Sequence, residues 1–511
     1  MRFTSRRAML FSVLFGLGLV ANLVPVWSID FLPLGDYWGH IELMDIAARR
    51  DDPRTLYAEV FEPPNLLLSN TVGLQLSMLL HPVFSIATVG KLMVSFYVVG
   101  VPLALVALAL VFERSPSLAF IGLPMVFNAI LSVGFLNYLF GLPLLFGALA
   151  LGRSFAERGG VGRGISLSLL LVACYFAHMI VFLIALALVG WLIVLFLDRR
   201  ADLRRLAVFL PCLPPLTGWV VRMFDTGTRS FLSRDSGLGL VFKDFDDRVA
   251  QMHAWGLQFF RSPVDEYVFG LLAFCWLAIL ILGFRSSPAS GRSRAAGKRW
   301  HRRHALELTT VGCIFAYFVL PSHMREMNVI TERVIILFLF LLTLWPRMRF
   351  AAIRQFALLV PLIGISWCYP WFVKAEFQRF ESELVGELPE MIGSLTDRSR
   401  LGYLRYPRYN SITYNGPLWY LPRGLHATLN GGISSASFAE RHYTPIQYRN
   451  RPPVQRIGHR LGDDRQKRIL QAYDYLLIRI DGKPENALHH PLLSLMRHDR
   501  SWWLFRVQRA P

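Results

Sequence analysis

The sequence predicts an all-α polytopic membrane protein of about 11 spans, ending in a small exported α/β domain. Three observations carry this. The 511 residues are 54% hydrophobic and 17% charged, with a mean hydropathy of +0.40, whereas a soluble domain has roughly 25% charged residues. Several apolar runs reach the length of about 20 residues that a helix needs to cross a bilayer. Between those runs lie short loops crowded with Lys and Arg, the pattern of cytoplasmic loops in a helical membrane protein. The net charge of +19 follows from such loops and from attraction to anionic lipid; nucleic acid is not implied.

Taken in order, Met1-Arg-Phe-Thr-Ser-Arg6-Arg7 is basic and precedes an apolar run from Ala8 to Ile29. That run is longer than a signal-peptide core and lacks a small-x-small cleavage site. It reads as an uncleaved first span, about 8–28, with its N-terminus in the cytoplasm. A long exported loop follows, about 29–88, and then span 2, about 89–112. In the loop, Ile41, Met44, Ile46 and Ala47 alternate with charged residues across His40–Arg50, which predicts a helix lying at the interface. Pro63-Pro64 breaks the chain, and Leu66–Leu80 reads as a second interfacial helix or a partial span.

Charge fixes the remaining path. Arg285–His304 holds Arg285, Arg292, Arg294, Lys298, Arg299, Arg302 and Arg303 and no acid. Together with Arg153–Arg163, Asp198–Arg205 and Arg347–Arg354, it belongs inside. For all four to be inside, 118–151 must be two short spans turning outside near Gly134-Phe-Leu-Asn137. Likewise 165–197 must turn near Phe176-Ala-His178. Span 7 is then about 206–222, span 8 about 265–284, span 9 about 305–321, span 10 about 333–345 and span 11 about 355–372. The loops at 225–264 and Ser322–Glu332 fall outside. The predicted division is a membrane domain, 1–372, and an exported domain, 373–511. The latter is rich in Arg, Tyr, Pro and Gly, and Tyr475–Ile480 and Trp502–Val507 read as strands.

The five cysteines, Cys174, Cys212, Cys275, Cys313 and Cys368, all lie in apolar segments without metal-ligand spacing and read as small buried thiols. No P-loop, GxGxxG, HExxH or GxSxG is present.

The most informative stretch is Leu32-Pro-Leu-Gly-Asp36-Tyr-Trp-Gly-His40-Ile-Glu42, where the chain leaves the bilayer. An acid and an imidazole at that depth are costly unless they line a polar cavity. Asp36 and His40 stand four apart, on one face of a helix. Two readings of Asp36 stay open: an N-cap for the helix beginning at Tyr37, or a general base that removes the proton of an attacking hydroxyl. In the second reading His40 orients the acid or contacts phosphate. Glu42 and Asp45 either hold a divalent cation through oxygen ligands or are ordinary solvated acids.

His178 either bonds a neighbouring helix or lines a cavity. In the outer segment Ser322–Arg333, His323, Arg325 and Arg333 are candidates for a lipid-linked phosphate, since guanidinium forks match phosphate oxygens. The competing reading pairs Arg325 with Glu326 and Glu332 with Arg333, although adjacent residues do not face each other on a helix.

Several features together resemble the GT-C superfamily of integral-membrane glycosyltransferases. They are Gly35-Asp36-Tyr-Trp-Gly-His40, the short paired helices around Gly134–Pro143, His178, Glu332-Arg333 at the start of a span, and Tyr473-Asp-Tyr-Leu-Leu-Ile-Arg479 followed by Trp502–Arg506. The resemblance implies a polyprenyl-phosphate sugar donor, inverting transfer to a glycan, lipid or protein acceptor on the outer face of the cytoplasmic membrane, and Asp36 as the base. Many members pair two first-loop acids; either Glu42 or Asp45 stands where the second would be. Two rivals are a non-enzymatic lipid-glycan translocator or assembly protein, and a ligase or polymerase using lipid-diphosphate donors. A translocator calls for polar residues spread through its spans, whereas here they gather at the outer ends.

Overall fold

A computed structural model describes residues 5–197, 200–224, 240–285, 300–324, 329–347, 353–405, 410–440, 444–450, 452–458 and 461–508. Arg325 and most of the basic 285–304 loop lie outside the described residues. The chain is mostly helical, with a small mixed sheet. Among the described residues, six helices are long and apolar enough to cross a membrane: Ala8–Trp27, Ile86–Val111, Pro116–Val133, Leu136–Arg158, Val264–Leu282 and Ala357–Val385. Val161–Ala177, Met179–Leu195 and Ala305–Val319 are shorter apolar helices.

Two proposed spans take another form. The 206–222 region is a 3-10 helix, Arg200–Cys212, leading into Leu213–Phe224. Pro211 removes an amide donor inside the 3-10 stretch, whereas Pro214 and Pro215 sit in the first turn of the α-helix that follows, where proline is tolerated. The 333–345 region is the 13-residue helix Ile330–Leu342.

The chain divides into two compact units. The first comprises Met1–Trp27, Val94–Leu131 and Asn137–Lys374; the second comprises Ser28–Met93, Ser132–Leu136 and Ala375–Pro511. The 29–88 loop and the C-terminal region therefore share one unit.

The expected break near Gly134 separates the Pro116–Val133 helix from Leu136–Arg158. The Leu136–Arg158 helix is followed at once by Val161–Ala177, and the lone residue His178 separates that helix from Met179–Leu195, which packs back against it. Gly141 permits close packing of the Leu136–Arg158 helix against Met179–Leu195: a Cβ there would stand 2.9 Å from Val181. Ends that charge assigns to one side of the membrane do meet. Glu307 takes Arg114 at 2.5 Å and Arg347 at 3.1 Å. The Arg153 and Arg302 guanidinium carbons lie 4.1 and 5.2 Å from the Phe196 ring. The opposite set, Tyr138, His178 and Arg333, also meets.

The second unit is built on a five-stranded sheet in the order β4-β3-β5-β7-β6, with β3 Arg400–Arg405, β4 Ile433–Ser434, β5 Tyr475–Arg479, β6 Leu493–Asp499 and β7 Trp502–Val507. β3 runs parallel to β4 and β5, and β7 runs antiparallel to β5 and β6. One face buries Leu404, Leu476, Ile478, Trp503 and Phe505 with Leu470 and Val454 in an apolar core. The Leu421–Asn430 helix opens on Pro422 and stops at Gly431, whose φ of 58° suits a C-terminal cap.

The Tyr37–Ala48 helix packs against Leu421–Asn430 and Val72–Leu80. Ten of its 12 residues are buried. The expected interfacial helix is thus overturned, because a helix covered on nearly every side belongs to a core.

Candidate functional site

Asp36 is held by its backbone. Gly35 N–H donates to Ser132 O at 2.8 Å and Asp36 N–H to Val133 O at 2.6 Å. Gly134, at φ 81°, makes the approach possible: a Cβ there would stand 2.9 Å from Tyr37 N and 3.0 Å from Asp36 N. Asp36 occupies the N-cap position of the Tyr37–Ala48 helix, yet its side chain makes no capping hydrogen bond. His40 N–H donates to Asp36 O at 3.1 Å, so the two side chains share one face a turn apart. From 36 to 47 every residue is buried except Asp36 and His40, which are half-buried. These half-buried positions, Asp36 and His40, are the pair picked out by spacing. The His40 ring lies 5.2 Å from that of Phe438.

One turn on, Asp45 serves as an anchor. Arg49 donates to both its oxygens, at 2.9 and 2.6 Å, and the Tyr57 hydroxyl donates at 2.6 Å. Arg49 also donates to Ala427 O at 2.7 Å, and the Tyr57 hydroxyl oxygen lies 3.0 Å from the same carbonyl. Among the described residues no group of three or more His, Cys, Asp or Glu side chains could hold a metal. With the Asp45 oxygens committed, the divalent-cation reading of Glu42 and Asp45 is not supported by the geometry.

Glu42 has a different character. It is buried, and one carboxyl oxygen has no hydrogen-bond partner. Burial pushes its pKa from 4.5 up to about 7, against the pull of Arg423 and a hydrogen bond from Ser437. Arg423, itself buried, is lowered by the same desolvation. Sequence reasoning missed this pairing because 381 positions separate the partners and no local signal connects them.

In the first unit, His178 caps the Met179–Leu195 helix, its Nδ1 accepting from Ile180 N–H at 3.1 Å. Its Nε2 lies 3.2 Å from Arg333 Nη1. Tyr138 joins them, its hydroxyl donating to Arg333 O at 2.8 Å and its ring 5.4 Å from the guanidinium. A neutral imidazole with an accepting Nδ1 carries its proton on Nε2, so Nε2 and Arg333 both offer protons to the same space.

Glu332 turns instead to Lys243, at 2.5 Å, and to the Thr331 hydroxyl. Val329, a β-branched residue at φ 62°, begins this helix and marks backbone strain beside Arg333. His323 lies on β2, His323–Met324, opposite Val241 of β1, Leu240–Val241. Its Nδ1 is buried without a hydrogen-bond partner. The structure therefore joins His178 to Arg333, a pairing that spacing did not reveal.

No protein-family model matches the chain, and no curated protein matches it. Among solved structures it is similar to the mycobacterial arabinofuranosyltransferase AftD determined by single-particle cryo-EM, with 12% identity and a TM-score of 0.51. The match covers 100% of this chain but 40% of that one, so the chain spans less than half the length of the structure it matches. The likeness is one of fold alone.

Proposed function

We propose that the protein is an inverting membrane glycosyltransferase that moves a sugar from a polyprenyl-phosphate donor to an acceptor hydroxyl. Asp36 is its general base. The second unit and the C-terminal region it contains are exported, and the protein resides in the cytoplasmic membrane. The observation that carries the reading is the half-buried pair Asp36 and His40 in a stretch otherwise buried from 37 to 47, with no capping hydrogen bond from the Asp36 side chain. The fold likeness to an arabinofuranosyltransferase supports the same class.

In this reaction the acceptor oxygen attacks the anomeric carbon from the face opposite the phosphate while Asp36 takes its proton. The carbon–oxygen bond to phosphate breaks, and its electron pair leaves on the polyprenyl phosphate. His40 orients Asp36. The first unit, taken by itself, offers Arg333 and the Nε2–H of His178 as ligands for a phosphate oxygen, and an oxyanion there relieves the opposition of two donors.

The test is Asp36→Asn in membranes, with release of polyprenyl phosphate measured over a panel of lipid-linked sugars. Transfer is expected to vanish at unchanged protein abundance, and full activity in that variant overturns the assignment. A ligase or polymerase using lipid diphosphates would draw on the same His178–Arg333 pair. It would instead retain activity in Asp36→Asn and lose it in Arg333→Gln.

A further inference from the structure

The sheet face opposite the C-terminal core gathers positive charge. β3 and β5 place Arg405 beside Arg479, and β7 places Trp502 beside Arg479. Strand alternation puts Tyr403 on the same face. Arg423 reaches in from the Leu421–Asn430 helix. Its guanidinium carbon lies 5.1 Å from the Trp419 ring and 5.8 Å from the Tyr403 ring. The Arg405 carbon lies 5.1 Å from the same Trp419 ring, and that of Arg479 lies 5.6 Å from Trp502. Two guanidinium groups sharing one indole are at most about 10 Å apart. Gly416 leaves room for Arg405, since a Cβ there would stand 2.9 Å from its Nη1.

Arg423 and Arg479 are 3% and 4% exposed, and the Nε of each is buried without a hydrogen-bond partner. Among the described residues neither forms an ion pair. Arg423 donates to Ala436 O at 3.1 Å. The acid it feels is Glu42, which burial drives toward its neutral form. The nearby Glu440 is engaged by Ala436 N–H and Arg456. Aromatic faces alone do not offset the desolvation of converging cations. Among the described residues the buried Arg423 and Arg479 have no ion-pair partner, and guanidinium donors match tetrahedral oxyanions.

We propose that Arg405, Arg423 and Arg479 form a phosphate-binding site on the sheet face opposite the apolar core, with Trp419, 36% exposed, at its rim. Three cations match a dianionic phosphate better than a single carboxylate. The phosphate comes from a soluble phosphorylated saccharide or from a lipid headgroup, and the two are separable.

The test uses the full chain purified in a neutral detergent, titrated with inorganic phosphate by calorimetry. Saturable binding is expected, weakened at least tenfold in Arg479→Gln and partly retained in Arg479→Lys. The half-buried Arg405→Gln gives the same reading if Arg479→Gln does not fold. Displacement of phosphate by glycerol 1-phosphate but not by phosphatidylglycerol vesicles assigns the soluble source; displacement by those vesicles, with pure phosphatidylcholine vesicles inert, assigns the lipid. Absent saturation, or equal affinity in wild type and the folded variants, overturns the site. Because the readout is binding rather than transfer, its failure leaves the Asp36 assignment to its own experiment.

Discussion

Replacing Glu42 by Gln should flatten the pH dependence of stability between pH 5 and 8. Its carboxyl titrates at about 7 in the folded protein and 4.5 when unperturbed. At about 1.4 kcal/mol per pKa unit, this shift corresponds to about 3 kcal/mol. The sign follows from proton counting. Between the two pKa values the native state holds a proton that the unfolded state has released, so stability falls as pH rises. The contribution is complete below pH 4.5, is lost progressively toward pH 7 and is absent above. Gln keeps the shape and stays neutral. Glu42→Gln should therefore match wild type near pH 4.5 and exceed it by about 3 kcal/mol at pH 8. The assay is urea unfolding of the detergent-solubilised protein followed by tryptophan fluorescence, since Trp38 and Trp502 are both fully buried in this unit. Parallel stability–pH curves for wild type and variant would refute the reasoning.

Other outcomes follow from the same geometry. Asp45→Asn removes the charge that binds Arg49 and Tyr57 and should cost about 3–5 kcal/mol in the same unfolding assay; Tyr57→Phe should cost about 1–2 kcal/mol. Gly134→Ala places a Cβ against Tyr37 N at φ 81° and should lower stability by about 1–3 kcal/mol, together with transfer, because the turn holds the Asp36 backbone. Arg333→Gln should raise the donor KM by roughly 10- to 100-fold, the worth of a charge-assisted hydrogen bond, measured with a lipid-linked donor; an unchanged KM would remove Arg333 from the phosphate.

Much of the helical path was legible because its breaks are chemical. Gly134 and His178 interrupt apolar runs, and the chain turns at both. Asp36 and His40 were legible through helical spacing. Tyr475–Arg479 and Trp502–Val507 form strands within the segments read as strands, but the two-residue β4 is too short to show a signal. The environment of Tyr37–Ala48 was not legible. Its polar residues suggested a surface helix, and their true partners, Arg423 and Ala427, come from a distant helix. The pairing of His178 with Arg333 was hidden for the same reason, being 155 positions apart. The 206–222 segment misled because hydropathy does not register that Pro211 lies where a 3-10 stretch gives way to an α-helix.

The discontinuous second unit has a consequence for biosynthesis. Tyr37–Ala48 emerges from the ribosome early, but the carbonyl of Ala427 that receives Arg49 lies 378 residues later. At about 5–20 residues per second, the helix waits roughly 20–75 s for its partner. Through that interval Tyr37, Trp38, Ile41 and Met44, all later buried, have no packing surface from the C-terminal half, and the Asp45–Arg49–Tyr57 cluster lacks its docking carbonyl. Truncation anywhere before Leu421 leaves the first loop permanently in that state. A premature stop late in the reading frame is thus felt at the start of the chain, and quality control that detects exposed apolar helices would dispose of such products.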